Sequence, residues 1–242
     1  LRHSRFLHQG LRGAALNEQQ AREEICRVGA SLFARGYVHA TSGNISMRLA
    51  PEHGGGYLIT PTDACLGTLD PARLARVDAA GRQTGGDRAS KTLVLHRRIY
   101  EAACAHDPAT ACVIHTHSTH CVALTLDAAH AQDTELLPAL TPYFVMKVGH
   151  VPLIPYHRPG APEAAAAVAE AIAAYGARGA PIRAVMLARL GPNVWHATPA
   201  AAMAVLEELE ETARLHLLTQ RATAPLPDDT IADLRASFDA RW

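Results

Sequence analysis

The stretch VIHTHSTHC, residues 113–121, decides how the chain is read. It closes an apolar run, ATACVIHTH (109–117), that has the length and composition of a buried β-strand. In a strand, side chains two positions apart share one face, so His115 and His117 stand side by side at the strand's end. Two adjacent imidazoles can chelate one divalent cation. The same pair can also be polar strand-end residues that bond to backbone. Two ligands fall short of the three protein ligands of an ordinary catalytic zinc site.

Outward from this strand, other short strands run into tight turns. YVHATSGNISMRL (37–49) reads as strand, Ser-Gly-Asn turn, strand, and GGGYLITPTDACLG (54–67) as a strand entering a Pro-Thr-Asp turn. DPARLARVDAAGRQTGG (70–86) begins as a short helix, then gives a strand and a glycine turn. VPLIPYHRPG (151–160) is a strand closed by Pro-Gly, and IRAVMLARLGPNVWHAT (182–198) is a hairpin turning at or near LGPN. Helical patterns lie between them. Residues 18–35 carry Ile25, Val28, Leu32 and Phe33 at helical spacing, with Asn17 as N-cap and Gly36 as the stop. SKTLVLHRRIYEAAC (90–104) puts Leu93, Leu95, His96, Ile99 and Tyr100 on one stripe, with Ser90 as N-cap. APEAAAAVAEAIAAYGARG (161–179) and PAAAMAVLEELEETARLHLLTQ (199–220), with Pro199 in its first turn, complete the set. Short turns between strands favour a mixed or antiparallel sheet covered by helices. No glycine-rich dinucleotide fingerprint or phosphate P-loop follows a strand.

Of 242 residues, 48% are hydrophobic, which suits one sizeable core, and no interior linker divides the chain. The expected organisation is a flexible arm over residues 1–16, one domain over 17–222, and a tail with a short helix over 223–242. Twenty-three basic and 23 acidic side chains leave no electrostatic footprint for nucleic acid. No run approaches the roughly 20 apolar residues of a membrane helix. Five cysteines without a CxxC pair suit a reducing cytoplasm.

Three hydroxylic turns accompany the histidine pair. Ser42, Gly43 and Asn44, then Thr62 and Asp63, then Ser90 and Lys91, could each form an anion-binding nest or a helix N-terminal phosphate site. Each can equally be a plain turn or cap. Together with the histidines they outline one site for a phosphate and a metal.

TSGNIS, ITPTDACLG, LHRRIY, VIHTHSTH and YHRPG occur in the order and spacing of the class II aldolase and adducin-head family, over roughly residues 20–220. PTDACLG, LTPYFVMKVG, PLIPYHRPG and LEELEETA resemble most the 3-oxo-tetronate 4-phosphate decarboxylases within it. The resemblance implies an α/β fold of three α/β/α layers around a mostly antiparallel sheet. It also implies a homotetramer with active sites at subunit interfaces, a phosphorylated sugar-acid substrate, and one divalent metal per subunit, usually zinc. His115 and His117 match the clustered metal ligands, the three turns match the phosphate-holding residues, and Tyr143 matches a tyrosine that reaches a neighbouring subunit's site. Two positions depart from the family. Thr92 stands where many relatives place the catalytic acid/base, and Leu190 where they carry a third histidine ligand. His120, His150 and His157 are other imidazoles within the chain, with nothing in the sequence to select among them.

Aldol chemistry needs a base for a C–H proton beside a carbonyl. Decarboxylation of a 3-oxo acid does not, because the electrons released with carbon dioxide flow into the ketone. Thr92 therefore fits a decarboxylase better than an aldolase, with Lys91, Tyr143 or water to return a proton. The other readings are a sugar-phosphate aldolase or epimerase, and a non-catalytic scaffold like the adducin heads.

Overall fold

The computed structural model describes residues 16–127 and 133–242. The arm expected over residues 1–16 lies, apart from Leu16, outside them. Eight strands form one sheet: β1 (Asn44–Arg48), β2 (Tyr57–Ile59), β3 (Ala75–Val77), β4 (Gln83–Gly85), β5 (Cys112–His115), β6 (Leu153–Ile154), β7 (Ala184–Leu187) and β8 (Gly191–His196). Their order is β4-β3-β2-β1-β5-β8-β7-β6. Every pairing is antiparallel except β6 with β7. The strand that carries His115 is thus central, flanked by β1 and β8, and His117 follows two residues beyond its end.

Directly opposed residues in an antiparallel ladder point to the same face. Ile45 opposes Ile114, which opposes Val194. These three side chains face helices α1 (Glu18–Ala34), α3 (Thr119–Leu124) and α5 (Pro199–Leu218) within one apolar cluster. Ser46, Val113 and Trp195 line the other face, beneath α2 (Leu93–Ala103) and α4 (Pro162–Ala177). Helices on both faces of the sheet give the three-layer arrangement expected from the sequence. Each fully buried leucine, such as Leu32, Leu206 or Leu209, contributes on the order of 1.5–3 kcal/mol to holding the layers together.

Local chemistry sets most helix ends. Asn17 and Gln20 form a reciprocal capping box at the start of α1, and Gly36, at φ 75°, turns the chain out of it. Pro199 occupies the first turn of α5, and the Thr198 hydroxyl accepts from the Ala201 amide. α2 departs from expectation. It begins at Leu93 after an uncapped Thr92, not at a Ser90 cap, so Ser90 and Lys91 form a turn ahead of the helix. The hairpin also turns earlier than LGPN suggests, over residues 188–190, because Gly191 and Pro192 pair with Leu187 and Met186. In the tail, α6 (Asp228–Phe238) buries Leu234 against Ala139, Val145 and Ala240 of its own chain. The final residue, Trp242, stacks on His150 with ring centroids 4.2 Å apart. No helix among the described residues is long and apolar enough to cross a membrane.

Candidate active site

The three hydroxylic turns, separated by up to 48 residues, meet at one end of β1 and β5. After β2 the chain continues as an extended segment. The Ser90 amide donates to the Thr60 carbonyl at 3.3 Å and the Thr62 amide to the Arg88 carbonyl at 2.9 Å, which lays the Thr62–Asp63 turn beside the Ser90–Lys91 turn. The Asn44 amide nitrogen then donates to the Thr92 hydroxyl at 3.1 Å, across 48 positions. Ser90 and Thr92 hydroxyls bond each other at 2.8 Å. Asn44 in turn pairs directly with His115. The structure therefore links Asn44, Thr92 and Ser90 to the end of β5 at His115, with Gly43 and Lys91 adjacent in the chain and the Thr62–Asp63 turn beside the Ser90–Lys91 turn.

Not every predicted residue points its polar atom into this space. The Ser42 hydroxyl is bound within its own turn, donating to the His39 carbonyl at 2.7 Å and accepting from the His39 amide at 3.0 Å. Asp63, at φ 58°, is exposed. It lines, with Thr62, Arg73 and Arg88, a surface hollow of about 440 Å³ that does not reach the histidines. Lys91 is exposed, with its ammonium available to an anion. Tyr143 is 61% exposed just before a π-helical turn, Phe144–Val148.

Two glycines let backbone crowd the histidine turn. A side chain at Gly191 would meet the Thr116 carbonyl at 1.9 Å. At Gly43 one would meet Val38 Cγ1 at 2.7 Å and the His115 carbonyl at 2.9 Å. The turn is thus clamped between the start of β8 and the Ser42–Asn44 turn.

The clamp fixes the state of the imidazoles. His115 Nδ1 lies 3.0 Å from the Pro192 carbonyl. A carbonyl only accepts, so Nδ1 carries the proton and Nε2 keeps its lone pair, the tautomer a metal ligand needs. Burial, then the neighbouring His117, lower the His115 pKa to about 4. Burial, then His39, lower that of His117. Both rings are therefore neutral near pH 7. Their centroids are 5.1 Å apart. Two imidazoles at ~2.0–2.1 Å from one tetrahedral ion have centroids roughly 5.2 Å apart. The ring spacing and the free Nε2 of His115 thus match what two imidazole ligands of one divalent cation require.

Leu190 does not supply a third. It packs against the apolar cluster that contains Ile99, Tyr100 and Trp195. Among the described residues, none of the other imidazoles noted in the sequence, His120, His150 and His157, makes a ring contact with the pair. His120 Nδ1 bonds Glu210 at 2.8 Å, and His150 Nδ1 bonds Glu135 at 2.9 Å. Among the described residues, no three His, Cys, Asp or Glu side chains converge as a ready-made metal site.

Sequence reading missed three groups. His39 lies with its ring centroid 6.1 Å from that of His117. His96 is fully buried on α2, where its Nδ1 meets the Ser46 hydroxyl at 2.7 Å and its Nε2 has no hydrogen-bond partner. Asn193 pairs with His115 across the sheet, and its whole amide is buried without a partner. The polar Asn193, just ahead of the apolar Val194 and Trp195 in β8, was a visible signal, whereas His39 carried none.

Residues 23–217 match the family described as Class II Aldolase and Adducin N-terminal domain. The chain is 52% identical to the 3-oxo-tetronate 4-phosphate decarboxylase of Cupriavidus necator, over 93% of this chain and 99% of that protein. It is 40% identical to the enzyme of the same name from Pectobacterium atrosepticum, over 94% and 98%. The crystal structure of YgbL from Escherichia coli superposes with a TM-score of 0.79 at 39% identity, covering 90% of this chain and 99% of that one. L-fuculose-1-phosphate aldolase from Thermus thermophilus superposes with a TM-score of 0.67 at 28% identity, covering 85% and 98%.

Proposed function

The chain belongs to the class II aldolase and adducin N-terminal domain family, and from that premise we propose that it decarboxylates a 3-oxo-tetronate 4-phosphate to dihydroxyacetone phosphate and carbon dioxide. The observation that carries this reading is the convergence of three hydroxylic turns on a neutral histidine pair, with a threonine hydroxyl in place of a carboxylate at residue 92. Relatives of the same name, similar over nearly their whole length, support it.

Class II aldolases are generally dependent on a divalent metal. Zinc, held through His115 and His117, would supply Lewis acidity at the ketone oxygen that receives the electrons. The chain's own groups do the rest. The Gly43 and Asp63 backbone amides, the Asn44 side-chain amide and the Thr62 and Ser90 hydroxyls bind the phosphate, and Lys91 neutralises it. This fixes the far end of the substrate, so that the carboxylate-bearing carbon lies by the histidines. Loss of carbon dioxide leaves an electron pair in the enediolate, which takes one proton at carbon from Lys91, Tyr143 or water. Thr92 keeps the Ser90 hydroxyl and the Asn44 amide in place and takes no proton itself. The exposed Tyr143 suits a role at a neighbouring subunit's site in a homotetramer, and the proposed setting is cytoplasmic sugar metabolism.

The test is carbon dioxide release from synthetic 3-oxo-tetronate 4-phosphates with zinc supplied, and dihydroxyacetone phosphate formed in equal amount. Absence of both at every configuration of the substrate would favour the second reading, a non-catalytic family member, for which Leu190 in the third-ligand position is the motivating observation.

A further inference from the structure

Resting on that reading of the histidine pair, we infer that His39 is the third protein ligand of the metal centre, standing in for the donor that Leu190 cannot provide. The sequence around His39 explains its place. Gly36 turns the chain out of α1, and the next buried residue, Val38, seats against Gly43 where a side chain would collide with it and with the His115 carbonyl. Val38 is thereby locked onto the backbone of the histidine turn. The adjacent residue, His39, is carried to His117, and among the described residues it is the ring from outside the HxH segment that contacts the pair.

The backbone of His39 is held at both ends. Its amide and carbonyl are both bonded by the Ser42 hydroxyl, and Ala40 takes the left-handed region at φ 47°, rare for a residue with a side chain. Its ring is a different matter. It is exposed, and neither nitrogen has a hydrogen-bond partner among the described residues. An anchored backbone with a free imidazole is what a ligand needs before the ion arrives. The 6.1 Å between the His39 and His117 centroids exceeds the roughly 5.2 Å of a tetrahedral pair by about 1 Å. Metal binding would draw the exposed His39 ring in by that distance, through rotation about its two side-chain bonds. His96, the buried imidazole beneath His115, is the competing candidate. It is sealed from solvent, so a cation there would have no position open to substrate.

The experiment measures zinc affinity by chelator competition, and the visible spectrum of the cobalt-substituted protein, for the parent, His39→Ala, His39→Asp and His96→Gln. The parent should show the intense absorption of a four-coordinate cobalt site. His39→Ala should bind zinc at least about tenfold more weakly and lose that intensity, while His39→Asp, which keeps a donor, should recover part of both. Circular dichroism checks that the exposed substitutions leave the fold intact. Equal zinc affinity and an unchanged cobalt spectrum in His39→Ala would overturn the inference, as would their loss in His96→Gln alone. A parent that binds no zinc would also overturn it. Carbon dioxide release, scored separately, tests the decarboxylase reading: activity that persists while His39→Ala leaves metal binding untouched removes His39 and spares the reaction.

Discussion

Asn44 faces His115 directly across the β1–β5 ladder while its amide nitrogen donates to the Thr92 hydroxyl, 3.1 Å away. One side chain therefore joins the strand that carries the histidines to the turn that holds Ser90 and Lys91. In the proposed site this link would set the phosphate end and the reacting end of the substrate at a fixed spacing, and the predictions below build on it.

In the proposed site Lys91 is the phosphate-binding cation. Lys91→Ala removes one charge-assisted contact, worth about 1.5–3 kcal/mol, so KM should rise on the order of tenfold or more. Steady-state kinetics decide between roles, since a kcat that collapses at constant KM makes Lys91 the proton donor.

Thr92→Glu tests the chemistry. A carboxylate placed among Asn44 and Ser90 sits where a general base can act. The parent should release carbon dioxide yet exchange the C–H protons of dihydroxyacetone phosphate slowly in heavy water. The variant should gain exchange without gaining decarboxylation. Proton NMR of the two proteins side by side measures this, and rapid exchange by the parent would locate the base at another residue.

His96 predicts acid sensitivity of the metal-free protein. Burial, then the charge of His115, lower its pKa to about 3. A base whose folded pKa is depressed binds fewer protons folded than unfolded. Its contribution is present above the unfolded value of about 6.5 and is lost as pH falls from there towards 3, by up to about 1.4 kcal/mol per pH unit. His115 and His196, each lowered to about 4 chiefly by burial, act in the same sense. Urea midpoints between pH 7 and 5 should fall steeply in the parent and less steeply in His96→Gln; equal slopes would contradict the assignment.

Glu210 supports the site from behind. Its carboxylate, 5% exposed on α5, accepts from the His120 and Cys121 amides at 2.9 and 3.0 Å, in the first turn of α3, and from His120 Nδ1. Glu210→Ala leaves two helix donors without a partner and should cost about 3 kcal/mol or more, read as a drop in urea midpoint. A loss below 1 kcal/mol would mean that water replaces the carboxylate.

Local rules made much of this legible. Asn17 with Gln20, Pro199 and the two-residue spacing of His115 and His117 act over a turn or a single strand, so periodicity and capping chemistry find them. The start of α2 was misjudged because Ser90 bonds Thr92 and the Thr60 strand end in place of capping a helix. His39 was invisible because its partner lies far along the chain and the contact depends on how Val38 seats against Gly43. The convergence of the three turns depends likewise on pairings between distant segments, which no local pattern encodes.

The carbonyl that fixes the His115 tautomer belongs to Pro192, 77 residues later in the chain. Both histidines leave the ribosome long before it does. A nascent chain halted before β8 holds the HxH sequence but not the clamp, since the Gly191 backbone that presses on Thr116 is still missing. Closing so long a loop is among the slower steps of folding. The centre is therefore completed late, and a chain shortened ahead of Gly191 should keep its imidazoles as loose, solvated side chains, open to indiscriminate metal capture.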